Sequence, residues 1–248
     1  MRVTEGDTAT LDMGGGAGGS KVSSLGASAV YEAIRLVLEK GKAIAARAMD
    51  AAEADVAFAD RAFTVKGTDK RITLADVARR EPLAATGVIK TTTPTYPSGC
   101  HVCEDEIDKD TGNVAVLRYI AVTDIGRAIN PNQTNGQIHG GIVQALGQVL
   151  SENIVYDADT GQLLSGSFMD YGMPRGASVC AIECYDNPVP TTVNPLGVKG
   201  AGEIGAGCAV PAIMNAIVDA LSPLGIHHVD MPCTPERVWR TIHSVSRA

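Results

Sequence analysis

The sequence predicts an α+β fold in which long helices pack on mixed sheets. Two long stretches, 25–52 and 133–154, carry apolar residues at helical spacing, and most of what lies between 83 and 123 reads as β. No internal repeat, low-complexity tail or long linker interrupts the chain, so residues 1–248 read as one body without independent domains. Of its 248 residues, 45% are hydrophobic and 20% charged, which permits a sizeable core. Aromatics are only 4%, so Ala, Val, Ile and Leu must fill it.

The elements follow in order. In the first helix, Val30, Ala33, Ile34, Val37, Leu38, Ile44, Ala45 and Ala48 form the apolar stripe. "ADVAFAD" and "AFTVKG" are a strand pair joined tightly at Asp60-Arg61, and Thr73 caps a short helix, "LADVARR", that Pro82 closes. "LAATGVIK", "CHVCEDEID" and "VAVLRYIAVTD" are strands, with "DKDTGN" turning the last two into a hairpin. The second long helix, from Gln133 to about Ile154, buries Ile138, Ile142, Ala145, Leu146 and Val149. Ser165–Met169 and Ala177–Cys184 are two further strand candidates. A proline-rich connection, "DNPVPTTVNPLG", leads to an apolar helix from about Ala209, and a last helix starts at Pro235.

Charge and cysteine usage narrow the function. The net charge of −7 is dispersed and no basic stripe exists, which argues against nucleic acid or an anionic membrane as the main partner. Nothing approaches an 18-residue apolar run and the N-terminus lacks a signal-peptide layout, so a soluble cytoplasmic protein is expected. Cys100 and Cys103 form a C-x-x-C around His101, but no second cluster lies at metal-ligand spacing. The alternation puts Cys100 and Val102 on one strand face and Cys103 on the other, and the cysteines read as reduced and partly buried.

Two glycine-rich segments stand out. In "MGGGAGGSKVSS", residues 13–24, Gly14, Gly16 and Gly19 match G-x-G-x-x-G, but the polar "VTEGDTATLD" stands where a dinucleotide fingerprint needs a buried strand. A P-loop fails as well, because Lys21 is displaced and followed by Val22. An anion cradle, with Ser20, Ser23 and Ser24 as hydroxyl donors, and a plain surface loop both remain open. In "GVKGAGEIGAG", residues 197–207, Glu203 sits among Gly, Ala and Ile. Poor solvation there would make it a better proton acceptor near neutrality, whereas a solvated surface turn is the other reading.

"VKGAGEIGAGCAVPAIMNAIVDAL" resembles the C-terminal signature of the molybdenum-binding large subunits of the xanthine dehydrogenase, aldehyde oxidase and carbon monoxide dehydrogenase family. "GGGAGGSKVSSLGASAV" is similar to that family's glycine-rich G-S-R-S-T segment, and "HVCEDEIDKDTGNVAVLRYIAVTDIGRAINP" to its hairpin with a trailing D-x-G-R-x-I-N-P. "NGQIHGGIVQALGQVLSENIVYD" and "GSFMDYGMPR" follow in the family's order, so the resemblance spans essentially the whole chain.

The resemblance implies that residues 1–248 are a partial molybdopterin-binding domain, the C-terminal portion of such a subunit. It implies hydroxylation or oxidation of an aldehyde, N-heterocycle or related small molecule with water as the oxygen source. Glu203 takes the position of the general base. Gly19, Ser20 and Ser23 match the segment that hydrogen-bonds the pterin, with Lys21 and Val22 replacing a usual arginine and serine. Gln137 matches a glutamine facing the cofactor, His139 is a common variant beside it, and Lys199, Gly200 and Gly202 line the same approach. Asp124 is a candidate for the cofactor's nucleotide end, and Arg127 reads equally as a structural salt-bridge partner. The implied cofactor is molybdopterin in its cytosine dinucleotide form, the metal being held by the dithiolene and by no side chain.

Implied partners are a chain carrying the N-terminal part of the molybdenum subunit, an iron–sulfur subunit with 2Fe–2S clusters and an optional flavin subunit with FAD. The family's large subunits are much longer, so a non-catalytic scaffold without cofactor is a competing reading. An independent nucleotide-binding domain is a third.

Overall fold

The computed structural model describes residues 2–11, 14, 16–89 and 93–245. Met13 and Gly15 of the first glycine segment, and Lys90 at the end of "LAATGVIK", lie outside the described residues. The chain divides into two compact units. One comprises Val22–Pro94 with Met1–Ala17 and Val193–Leu196; the other comprises Thr95–Thr192 and Gly197–Ala248 with Gly18–Lys21.

In the first unit a π-helical turn, Val22–Ala27, runs into α1, Ser28–Met49. Asp50 ends the helix in a left-handed conformation, its N–H returning to the carbonyls of Ala46 and Arg47. The strands β1, Val56–Ala59, β2, Ala62–Val65, and β3, Arg71–Thr73, form an antiparallel sheet in the order β1-β2-β3. Asp60 and Arg61, at φ 47° and 59°, make the expected two-residue connection. Thr73 caps α2, Leu74–Arg80, by accepting the Asp76 N–H. The core joins Ile44, Ala45 and Ala46 of α1 to Val56, Phe63, Val65 and Val77. Only the second half of the α1 stripe is buried; Ile34 is exposed.

"LAATGVIK" forms no strand across its described residues. A Cβ on Gly87 would overlap the Ala29 carbonyl and come 2.5 Å from the Ala33 nitrogen, so this segment lies across α1 instead of pairing with a strand.

The second unit is built on β4, Ser98–Ile107, β5, Val114–Asp124, and β6, Ile182–Asp186. β4 and β5 are antiparallel with a bulge at Glu104/Asp105, and β6 adds parallel to β5, so the sheet is mixed as expected. The hairpin closes where Asp108 accepts the Gly112 N–H through its backbone and the Asp110 N–H through its side chain. β4 alternates as read: Cys100 and Val102 face solvent while Cys103 is half-buried.

Helix α3, Pro131–Leu150, starts at an Asn130 cap and buries all five predicted stripe residues. α4, Ile204–Leu221, begins immediately after Glu203, well before the expected Ala209. α5, Pro235–Val245, starts where predicted. One core joins Tyr119 and Ala121 of β5 to Ile138, Ile142 and Val149 of α3, and to Ala209, Ile213, Ile217 and Leu221 of α4.

Two sequence expectations are corrected here. The region 204–224 is long and apolar enough to cross a membrane by length and composition, contrary to the reading that no such run exists. One stripe of it, Ile204, Ala209, Ile213, Ile217 and Leu221, packs in the core of this unit, and 33% of the apolar window is buried. Ser165–Met169 is not a strand: Ser167 donates its hydroxyl to Asp170 and accepts the Met169 N–H, folding the segment into a turn. The arm around it carries exposed Ile154, Tyr156, Leu164, Phe168 and Met169.

Candidate functional site

The segment 197–203 reaches its position through the end of β5. Asp124 accepts the backbone N–H groups of Gly126 and Val189 at 2.9 Å each on one oxygen, and the Lys199 ammonium at 2.5 Å on the other. Both side chains are about seven-eighths buried. Burial pushes the Asp124 carboxyl up, but the Lys199 hydrogen bond and the two backbone donors hold it below the usual carboxylate range. The Lys199 N–H donates to the Ile125 carbonyl and the Arg127 N–H to the Gly197 carbonyl. Gly126, at φ 65°, is needed there because a Cβ would overlap the Gly197 carbonyl.

Thus Asp124 and Lys199, predicted separately to line a cofactor, are partners of one another. Arg127, considered as the salt-bridge partner of Asp124, is exposed and not paired with it. The buried carboxylate selects the cation that the Gly126–Val198 bridge brings alongside it.

Past Lys199 the chain enters α4, whose first turn is locked onto α3. A Cβ on Gly205 would overlap the Ile138 carbonyl, and one on Gly141 would come 2.7 Å from the Ala206 nitrogen. This close approach fixes Glu203, the residue at the start of the helix, without using its side chain as a cap. The Glu203 carboxylate accepts the Ser20 hydroxyl at 2.6 Å on Oε2. A Cβ on Gly200 would come 2.5 Å from the Ser20 carbonyl oxygen, and one on Gly202 would come 3.4 Å from Ser20 Oγ and 4.0 Å from Gln137 Oε1.

Ser20, Gln137, Gly200, Gly202 and Glu203, drawn from three separate segments, therefore meet at one mouth. Gly19, at φ 61°, leads into it with open space around its α-carbon. Ser23 lies in the π-helical turn that belongs to the other unit and is exposed. Glu203 is exposed as well, so of the two readings of this segment the solvated carboxylate is the one observed. The flanking glycines have no side chains to cover it.

His139 is occupied within its own helix, its Nδ1 lying 2.7 Å from the Asn135 carbonyl. Burial pushes the Cys103 thiol up to about 12 and the Cys233 thiol to about 11, so neither supplies a thiolate near neutrality. Among the described residues, no group of three or more His, Cys, Asp or Glu side chains could hold a metal ion.

Sequence reasoning missed the cleft next to the Asp124–Lys199 pair. It has a volume of about 280 Å³, and its lining includes Thr123, Gly126, Arg127, Asp186 and Pro188. The Thr123 hydroxyl oxygen there is buried without a hydrogen-bond partner. The signal in the sequence was "DNPVP", whose Pro188 and Pro190 line the cleft, while the Asn187 and Val189 N–H groups bond the Thr123 carbonyl and the Asp124 carboxylate.

Comparison with known proteins gives consistent matches. The family model described as a molybdopterin cofactor-binding domain matches residues 1–180. The 6-hydroxypseudooxynicotine dehydrogenase complex subunit gamma of Paenarthrobacter nicotinovorans is 34% identical over 99% of this chain and 32% of its own length. The carbon monoxide dehydrogenase large chain of Hydrogenophaga pseudoflava is 34% identical over 98% of this chain and 31% of its own. Among solved structures, a Cu,Mo-CO dehydrogenase in its carbon monoxide reduced state superposes with a TM-score of 0.87 at 31% identity, over 98% of this chain and 32% of that one. The chain spans about a third of the length of these relatives.

Proposed function

This chain belongs to the molybdopterin cofactor-binding family, as the C-terminal molybdenum-binding part of a molybdenum hydroxylase large subunit, and we propose that it forms one wall of the cofactor site in a multi-subunit enzyme of that kind. The observation that carries this is the meeting of Ser20, Gln137, Gly200, Gly202 and Glu203 at one mouth. The mouth offers a hydroxyl, a carboxamide and side-chain-free backbone, a donor and acceptor set that fits a polar pterin. In this reading residues 1–248 act as one partial domain, and Gly19, Ser20 and Gln137 hold the pterin. Lys199 and Asp124 act by fixing the loop that carries Gly200 and Gly202.

When bound, the molybdenum cofactor supplies a redox-active metal held by its dithiolene. The chain's own contribution is a proton acceptor. Glu203 is a carboxylate on a rigid helix start, exposed toward the mouth, and serves as the general base. In this reading the cofactor is molybdopterin in its cytosine dinucleotide form. The substrate is an aldehyde, an N-heterocycle or a related small molecule. The N-terminal part of the molybdenum subunit, an iron–sulfur subunit with 2Fe–2S clusters and, where present, a flavin subunit with FAD complete the assembly in the cytoplasm. The exposed apolar arm with Phe168 and Met169, 78% and 92% accessible, supports contact with the remainder of the molybdenum subunit.

Glu203→Gln in the assembled enzyme tests the base directly. Turnover should fall by about 10²–10⁴-fold with molybdenum content unchanged. Retained turnover would remove Glu203 from the chemistry. A non-catalytic scaffold is favoured by Val22, whose apolar side chain is 61% exposed where the family uses a serine. Metal analysis of the same complex separates the two, since a scaffold purifies without molybdenum.

A further inference from the structure

Ser20 combines three features. Its backbone is left-handed, φ 55°, a conformation uncommon for a residue with a Cβ. Its hydroxyl donates to Glu203 Oε2 at 2.6 Å, joining residues far apart in the chain. Its seat is cleared by two glycines of the segment that carries Glu203. A Cβ on Gly200 would come 2.7 Å from Ser20 Cβ, and one on Gly202 3.4 Å from Ser20 Oγ. Those glycines thus have a reason to be glycine that lies within this chain.

Glu203 needs such a partner. Its backbone is fixed by the contact of Gly205 with Ile138, but its side chain is exposed and makes no cap bond with the helix that follows. An exposed carboxylate on flexible side-chain torsions samples several rotamers, and a base works only from the one within reach of the proton it accepts. A hydroxyl on Oε2 selects one rotamer and leaves Oε1 free to accept.

We infer that Ser20 is a positioning residue that holds Glu203 with one carboxylate oxygen engaged and the other presented as the proton acceptor. The inference rests on the reading of Glu203 as the base. It also changes what Ser20 offers the pterin. A serine hydroxyl has a single proton, and with that proton on Glu203 only oxygen lone pairs remain, so Ser20 can accept from a cofactor N–H but cannot donate.

The test uses Ser20→Gly, which keeps the left-handed backbone at no steric cost and removes only the hydroxymethyl group. In the assembled enzyme, kcat per bound molybdenum should fall about 10–100-fold, the scale of a misplaced catalytic group, with KM within about twofold. In the full chain without cofactor, urea unfolding of Ser20→Gly, Glu203→Ala and the double variant should give non-additive midpoint shifts, because both single changes remove the same bond. Unchanged kcat in Ser20→Gly beside an inactive Glu203→Gln overturns the positioning role and leaves the base intact. Loss of molybdenum from Ser20→Gly with kcat per bound molybdenum unchanged also overturns it and makes Ser20 a cofactor contact alone. Additive midpoints overturn the bond itself. Full turnover in Glu203→Gln defeats the base reading, a different failure.

Discussion

The two glycine-rich segments share a composition and differ in what surrounds each α-carbon. In the first, Gly14, Gly16, Gly18 and Gly19 have open space where a Cβ would stand. In the second, Gly197 meets Pro190, Gly200 meets Ser20, Gly202 comes close to the Ser20 hydroxyl and Gly205 meets the backbone of Ile138. In the second segment Gly200 and Gly205 answer close approach of another chain segment, while Gly197 also has a positive φ of 69° and Gly207 has open space; in the first, Gly16 and Gly19 serve backbone conformation through their positive φ. A glycine-rich stretch is therefore two different things, and the sequence spelling does not separate them.

The sharpest way to break this contrast is at Gly205. Gly205→Ala puts a methyl group against the Ile138 carbonyl at the α3–α4 contact, where no flexible side-chain end can yield. Helix propensity alone would favour alanine by about 1 kcal/mol. Overpacking against backbone outweighs it, and a net loss of about 2–3 kcal/mol is expected. In a thermal melt of the chain this is a fall of roughly 5–10 °C. An unchanged or raised melting temperature would mean that the two helices are not locked there, and would weaken the case for Glu203 being rigidly placed.

Crowding has an electrostatic counterpart under the same helix. Asp105, at the β4 bulge, has one carboxylate oxygen buried without a partner. Burial, reinforced by Asp219 facing it from α4, pushes its carboxyl up to about 6. The sign follows from linkage: a carboxyl raised in the folded state favours folding below its unfolded value near 3.9, and that advantage is lost as pH climbs through about 6. Asp105→Asn should therefore stabilise the chain by about 1–2 kcal/mol at pH 7, after discounting for partial solvent access, and by nothing below about pH 4. Urea midpoints at pH 4 and pH 7 measure this. A gain equal at both values would attribute the effect to packing and not to charge.

The reach of sequence reasoning follows the same line between local and distant causes. The α3 stripe, the Thr73 cap, the Asp60-Arg61 turn and the β4–β5 hairpin were legible because each depends on neighbours a few residues away. β3 was missed because three residues carry no periodicity and exist as a strand only through pairing with β2. "LAATGVIK" had strand-forming residues but lies across α1. At the site, the family resemblance named the residues that meet at the mouth, yet the Ser20–Glu203 bond and the Asp124–Lys199 pair were not readable from spacing. The start of α4 was hidden too, because Gly205 and Gly207 look like helix breakers until Ile138 is placed against the first of them.

The open segment makes the opposite prediction, with the smallest effect. Gly18 has no positive φ and nothing near its would-be Cβ, so alanine fits without strain. Gly18→Ala should change stability by no more than about 0.5–1 kcal/mol, and in the stabilising direction, because it restricts only the unfolded chain. It should leave turnover of the assembled enzyme unchanged if Gly18 is merely a link to Gly19 and Ser20. A lost turnover with stability retained would instead show that the bare backbone at Gly18 is itself approached by the cofactor. The urea midpoint and the kinetic assay together decide whether glycine at that position serves the chain's flexibility or its ligand.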